Sequence, residues 1–166
     1  MTFDQALRQT LEFECGGDPE THDGYVNDPA DPGGETKYGI AKRYYPDLDI
    51  RGLTYDQARR LYYAEYWQRF KCDLVPEPLR GTYFDMLVIP GPGAAGRLLQ
   101  RAYNSLGIGA PLTVDGVVGL KTLTACIDLP VDRLRMLRLE YFAEIVIRIP
   151  ERRRYWNGWK RRAMRV

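Results

Sequence analysis

The sequence predicts a mainly α-helical fold carrying one long irregular loop or short β-hairpin near residues 16–38. Two observations lead there. Apolar residues recur at three- and four-residue spacing through most of the 166-residue chain, the signature of amphipathic helices. The one long departure, residues 16–36, is dense in Gly, Pro, Asp and Asn and too broken to hold a helix. A hydrophobic content of 45% is enough for such helices to bury a common core.

The first predicted helix covers 3–15, with Thr2 or Asp4 as its cap and Gly16-Gly17 as its stop. The loop over 16–36 has room for a short hairpin around Tyr25 and Val26, and connections this long in a small domain are usually functional. A helical turn is expected over 40–44. Thr54 then caps a helix running to about Phe70, with Ala58, Leu61, Tyr62 and Glu65 on helical spacing. A helix over 79–88 ends at the breaker Pro90-Gly91-Pro92-Gly93, and another over 94–106 carries Leu98, Leu99, Ala102 and Leu106. After a turn-rich link over 107–119, helices are expected at about 120–127, 131–148 and 156–164. No repeat, low-complexity tract or composition boundary marks a second independent domain. The expected organisation is a portion over 1–92 and a helical portion over 93–166, packed as one compact unit.

Composition removes several function classes. His22 is the single histidine, so a histidine-built zinc site is excluded and a Ser/His or Cys/His hydrolase would have to rely on that residue alone. Gly33-Gly34 is too short to cradle a phosphate. Cys15, Cys72 and Cys126 cannot all pair and form no metal or redox spacing, which suits a reducing compartment. Neither a metal nor a cofactor is expected. No segment is apolar enough to span a membrane, and no leader-like run is present.

Net charge is only +2, but the tail concentrates Arg148, Arg152, Arg153, Arg154, Lys160, Arg161, Arg162 and Arg165. That end is either a solvated helix face or a weak contact for anionic lipid or wall polymer. No nucleic-acid motif accompanies it, so no specific nucleic acid is expected.

Carboxylate chemistry remains. On a helical wheel of about 100° per residue, Glu14 falls inside the stripe of Phe3, Leu7, Thr10 and Leu11, whereas Glu12 falls on the opposite, solvated face. Desolvation and the negative end of the helix dipole both favour a protonated Glu14. A protonated carboxyl is what glycosidic cleavage needs, since the leaving sugar oxygen must receive a proton. The competing reading is an ion pair with an arginine such as Arg97 or Arg101, and helix phase alone does not choose between them.

The segment after that helix carries a resemblance. It reads Gly24-Tyr25-Val26-Asn27-Asp28-Pro29-Ala30-Asp31-Pro32-Gly33-Gly34-Glu35-Thr36-Lys37-Tyr38-Gly39-Ile40. This resembles glycoside hydrolase family 108, whose pattern runs from a helix-terminal Glu-Gly-Gly-Tyr through Val-Asn-Asp-Pro and Asp-Pro-Gly-Gly to Thr-x-x-Gly-Ile. Tyr66-Trp67, Phe84-Asp85, Leu99-Gln100 and Asp115-Gly116-x-x-Gly119-x-x-Thr122 follow in the family's order, and Gly158-Trp159-x-Arg161-Arg162 resembles its closing segment. The resemblance covers almost the whole chain.

It implies a lysozyme-like fold and an N-acetylmuramidase acting on peptidoglycan glycan strands as a monomer, with a C-terminal portion resembling a peptidoglycan-binding module. It also implies a phage endolysin made in the bacterial cytoplasm and released to the periplasm or wall by a hole-forming protein. A lytic transglycosylase or a non-catalytic wall-binding protein would share the pattern.

The family's acid maps to Glu14, although about eight extra residues, 15–22, separate it from Asp23-Gly24-Tyr25. Glu20 lies nearer the motif but within a Pro-containing loop. Val88-Ile89-Pro90-Gly91 also departs from the family, which usually has Asn before that glycine. Asp31 and Thr36 are the candidates to orient a water on the far face of the sugar, although Asp-Pro pairs are also ordinary turn formers. Glu35 fits a surface position better. Tyr25, Asn27, Tyr38 and Trp67 are the expected substrate contacts, the aromatic ones as platforms for sugar rings, a role Tyr62 could also serve.

Overall fold

The computed structural model describes residues 1–28 and 34–166. These divide into two compact units, Thr2–Arg69 and Phe70–Val166, the second also including Met1. The fold is mainly helical, with one small antiparallel hairpin.

In the first unit, α1 spans Phe3–Cys15. Its start is a capping box: Gln5 N–H donates to Thr2 Oγ1 and the Gln5 side chain accepts from Thr2 N–H, at 3.3 and 2.9 Å. Gly16, at φ 75°, ends it in the left-handed region. The buried side is Phe3, Ala6, Leu7, Thr10, Leu11 and Cys15.

The next residues form a small closed loop. The N–H groups of Thr21 and His22 both donate to Asp18 O, and Arg8, on α1, reaches Asp18 at 2.7 Å and Glu20 at 3.2 Å. The extra residues thus fold onto the flank of α1. Val26 and Thr36 then exchange both backbone hydrogen bonds, at 2.9 and 2.8 Å.

Thr36–Lys37 forms β1 and Ile40–Ala41 forms β2, with Thr36 opposite Ala41 and Lys37 opposite Ile40. The expected helical turn over 40–44 therefore begins as strand, because Ile40 and Ala41 close the hairpin. Only Lys42–Tyr44 is helical, as a 3-10 turn.

A second capping box, Thr54 with Gln57, opens α2 at Tyr55–Tyr62. The single helix expected over 54–70 changes character at Tyr63–Gln68, which is π-helical. Such wide turns are uncommon and often lie at functional sites. Arg59 joins α2 to α1 through both oxygens of Asp4, at 2.6 and 3.1 Å.

In the second unit, α3 (Glu77–Val88) is central, with Leu79, Tyr83, Phe84, Met86 and Leu87 all buried. Residues 81–87 of this helix are buried on every side, and α4 (Pro92–Asn104) and α6 (Val131–Arg148) pack on it. Between them, α5 covers Leu120–Ala125. The loop before α5 is held to α4 by Gln100, whose Nε2 donates to Asp115 Oδ1 at 2.7 Å and Val117 O at 3.0 Å. Gln100 Oε1 accepts from Gly116 N–H at 2.8 Å.

The chain closes with α7 (Trp156–Arg165), folded back on α6, where Trp159 stacks on Phe142 at 5.0 Å. One cation of the basic tail is internal: Arg162 is buried against Asp85, whereas Arg152, Arg153, Arg154, Lys160, Arg161 and Arg165 are exposed. Within the Val88-Ile89-Pro90-Gly91 segment, Ile89 offers its backbone carbonyl to Arg138 at 2.8 Å. No helix among the described residues is long and apolar enough to cross a membrane.

Candidate active site

Glu14 stands in the last turn of α1 and is half-buried. Glu12 is half-buried too, contrary to the helical wheel, so exposure does not separate the two. The neighbours do. Gly39 lies so close to Glu14 that a Cβ added there would meet Glu14 Cβ and Cγ at 3.1 Å. Gly24 presses on the same end of α1, where a Cβ would fall 2.8 Å from Cys15 Cα and 3.3 Å from Glu14 O. Both glycines sit at positive φ, 64° and 73°. Conformation and space therefore both require glycine at these two positions.

The interruption after Glu14 is thus closed in space. The inserted residues leave α1 at Gly16, fold against Arg8, and return at Gly24 beside Cys15. Glu14 ends up next to Gly24-Tyr25 as if the extra residues were absent. The Cys15 thiol beside it is driven up to about 11, by burial first and then by the negative charges of Glu14 and Asp23. It therefore remains a thiol near neutrality and offers no competing nucleophile. Burial raises the Tyr66 hydroxyl as well, with Tyr45 and Glu14 contributing, which sets Tyr66 within electrostatic reach of Glu14.

Around this point the hairpin supplies polar groups. Thr36 is half-buried on β1 with its backbone committed to Val26. Tyr25 is half-buried and its hydroxyl donates to Glu35 Oε1 at 3.2 Å, giving Glu35 a partner that the sequence did not suggest. Asp23 accepts from Tyr25 N–H at 3.0 Å and pairs with Lys37 Nζ at 3.1 Å. The backbone bond first, and then the ammonium, hold its carboxyl below the ordinary range against the opposing effect of burial. Asn27 is exposed, and Asp31 lies outside the described residues.

Two of the expected sugar contacts are buried. Trp67 is 1% exposed and packs edge-on to Phe3 at 5.4 Å, so neither ring face can meet a sugar. Tyr38 is 8% exposed, and its carbonyl accepts from the buried Tyr62 hydroxyl at 3.0 Å. Both residues adjoin the motif in sequence, but they face the core of the unit. Glu20 is exposed and tied to Arg8, as suits a loop anchor.

A family model described as Glycosyl hydrolase 108 matches residues 8–91, just over half of the chain and the whole of this arrangement. The chain belongs to glycoside hydrolase family 108. A second model, described as Predicted Peptidoglycan domain, matches residues 94–164. Among solved structures, one described as the structure of Brucella abortus SagA is similar at TM-score 0.72 and 25% identity, covering 98% of this chain and 90% of that one. No curated protein matches.

As a family 108 member, the protein is a glycoside hydrolase that acts on peptidoglycan. The glycines of the family pattern have a physical role in this chain, since Gly24 and Gly39 are the points at which loop and hairpin close on the helix bearing Glu14. Among the described residues no cluster of His, Cys, Asp and Glu could hold a metal.

Proposed function

We propose that this family 108 enzyme hydrolyses the β-1,4 bond between N-acetylmuramic acid and N-acetylglucosamine, with Glu14 as general acid. One observation carries the reading: Glu14, in the last turn of α1, lies against both Gly24 and Gly39, so the interrupted family pattern is rejoined around this residue. In the proposed reaction Glu14 gives its proton to the departing sugar oxygen as the glycosidic bond breaks. Asp31 and Thr36 orient the attacking water on the other face of the ring, the division of labour an inverting hydrolase requires. Tyr25 and Asn27 are the remaining candidates for sugar contact, supported by their partial or full exposure beside the hairpin.

The reaction product tests the bond and the chemistry together. Digested sacculi should yield N-acetylmuramic acid at new reducing ends, read by mass spectrometry before and after borohydride reduction. Products ending in 1,6-anhydromuramic acid would identify a transglycosylase, which closes the sugar on itself and uses no water. Reducing N-acetylglucosamine ends would place the cut at the other linkage.

The biological role we assign is host lysis as a phage endolysin. Produced inside Gram-negative cells together with a hole-forming membrane protein, the enzyme should clear the culture, and production alone should not. Clearing without the partner would contradict that role.

A further inference from the structure

The hairpin that backs Glu14 turns through an unusual residue. Lys37 and Ile40 face each other across the strands, so Tyr38 and Gly39 are the two residues of the turn, at φ 51° and 73°. A two-residue turn with both residues at positive φ normally uses Asn-Gly or Asp-Gly. For a bulky side chain such as tyrosine that conformation is uncommon, and it persists where surrounding structure enforces it.

Three contacts enforce it here. The Tyr38 ring is buried and meets Tyr55 edge-on at 6.0 Å. Tyr38 N–H donates to Asp23 O at 2.8 Å. Tyr62, 3% exposed at the end of α2, donates its hydroxyl to Tyr38 O at 3.0 Å. The same hydroxyl would lie 2.8 Å from a Cβ on Gly39, whose other near neighbours are Glu14 Cβ and Cγ at 3.1 Å. Tyr62 Oη, the turn backbone and the Glu14 side chain therefore form one packed stack with no room for a methyl group.

We propose that Tyr62 is a positioning residue for the acid: its hydroxyl locks the Tyr38-Gly39 turn, and the turn is the wall against which the Glu14 side chain is held. The inference rests on Glu14 being the general acid. Donor and leaving oxygen must meet within hydrogen-bond distance, and displacing a catalytic group by about 1 Å can cost around a hundredfold in rate. A glutamate side chain turns about three torsions, and a close-packed wall at Cβ and Cγ restricts the first of them, which sets where the carboxyl can reach. In this reading Tyr38 contributes its backbone, which accounts for its ring being buried.

The test is Tyr62→Phe, which keeps the ring and removes the hydroxyl. Rates are compared on two substrates of the same glycan: soluble uncross-linked strands, and a strand ending in a 4-nitrophenyl leaving group. Nitrophenolate departs without a proton, so only the native linkage depends on a well-placed acid. Tyr62→Phe should slow cleavage of native strands about tenfold or more and leave nitrophenol release within about twofold of wild type. Equal losses on both substrates, or no loss on either, would overturn the proposal, since a purely structural residue affects both alike.

Glu14→Gln run alongside keeps the two claims separate. If it spares native strands, the acid assignment itself is wrong. If it shows the split and Tyr62→Phe does not, only the positioning role falls. Should circular dichroism show Tyr62→Phe unfolded at the assay temperature, the two substrates are compared at a lower temperature at which the variant is folded, with the same split expected and equal losses again overturning the proposal.

Discussion

Replacing Glu14 by Gln should cut hydrolysis of isolated sacculi by about a hundredfold to ten-thousandfold, the usual range for removing a general acid. The amide matches the carboxyl in shape and keeps the contact with Gly39, yet it has no acidic proton to give. Stability should change little, because Glu14 is only half-buried at a helix end and the hydrophobic side of α1 is untouched. A turbidity assay on purified walls, with circular dichroism and thermal melting on the same samples, separates loss of chemistry from loss of fold. Full activity in a folded Glu14→Gln protein would remove the acid. Full lysis of permeabilised cells by that variant would also favour a wall-binding protein whose effect needs no catalysis.

The result matters beyond one residue because of the interruption after Glu14. A loop of extra residues immediately behind a catalytic acid could displace it from its groove. Here Arg8 anchors the loop through Asp18 and Glu20, and Gly24 returns the chain to Cys15. Those ion pairs are largely exposed and each adds at most about 1 kcal/mol. They join the loop to the face of α1 that carries Arg8.

Local rules made much of this fold legible. The Thr2 and Thr54 capping boxes, the Gly16 stop and the Pro-Gly breaker mark helix ends through short-range chemistry. The helix expected over 131–148 coincides with α6 because a long, evenly spaced pattern leaves little freedom. The π-helical stretch at Tyr63–Gln68 was not legible, since its residues fit an ordinary helix equally well and only packing selects the wider turn. The sequence has room for a hairpin around Val26, but its partner, Thr36, lies ten residues away in a polar stretch that carries no periodic signal.

The site was legible as a motif and not as a surface. Adjacency to the motif suggested that Tyr38 and Trp67 contact sugar, but which face of an aromatic residue meets solvent depends on neighbours distant in sequence, here Tyr62 and Phe3. A signal for Tyr38 did exist: Tyr-Gly between two short strands can form a tight turn, which turns the tyrosine backbone into the functional part. Tyr62 stood out only as a possible sugar platform near the motifs, one of twelve tyrosines, and nothing in the sequence pointed to its hydroxyl meeting the Tyr38 carbonyl.

The largest stability effect should come from Asp85→Asn. Asp85 is fully buried on α3 and was visible in the sequence only as a member of the family's order. In the structure it is shared by two arginines from far along the chain. Arg138 on α6 donates to Oδ2 at 2.5 Å, and Arg162 on α7 contacts both oxygens, its Nη2 reaching Oδ1 at 2.9 Å. Burial alone would raise the Asp85 carboxyl, but the two guanidinium groups outweigh it and hold it below the ordinary carboxylate range. The amide keeps the shape and removes the charge, leaving two buried cations facing each other without their counter-ion.

Breaking a buried ionic cluster in this way costs about 3–5 kcal/mol, against a total of about 5–15 kcal/mol for a typical domain. The variant should therefore melt well below wild type, with the junction of α3, α6 and α7 losing amide-exchange protection first. The pH dependence has a definite sign. A carboxylate with a lowered folded pKa contributes stability above the unfolded-state value, near 3.9, and loses it as pH falls through the folded value. Wild type should lose this share of its stability only in strongly acidic solution, and Asp85→Asn should lack that acid transition.

Replacing all three charged residues by apolar ones of similar volume should recover much of the loss, because the desolvation of the ions disappears along with their attraction. A melting temperature for Asp85→Asn equal to wild type would show that the cluster does not hold the unit together. Wild-type stability in the apolar triple variant, with the single variant destabilised, would show instead that the cluster selects the α3–α6–α7 arrangement and adds little net stability.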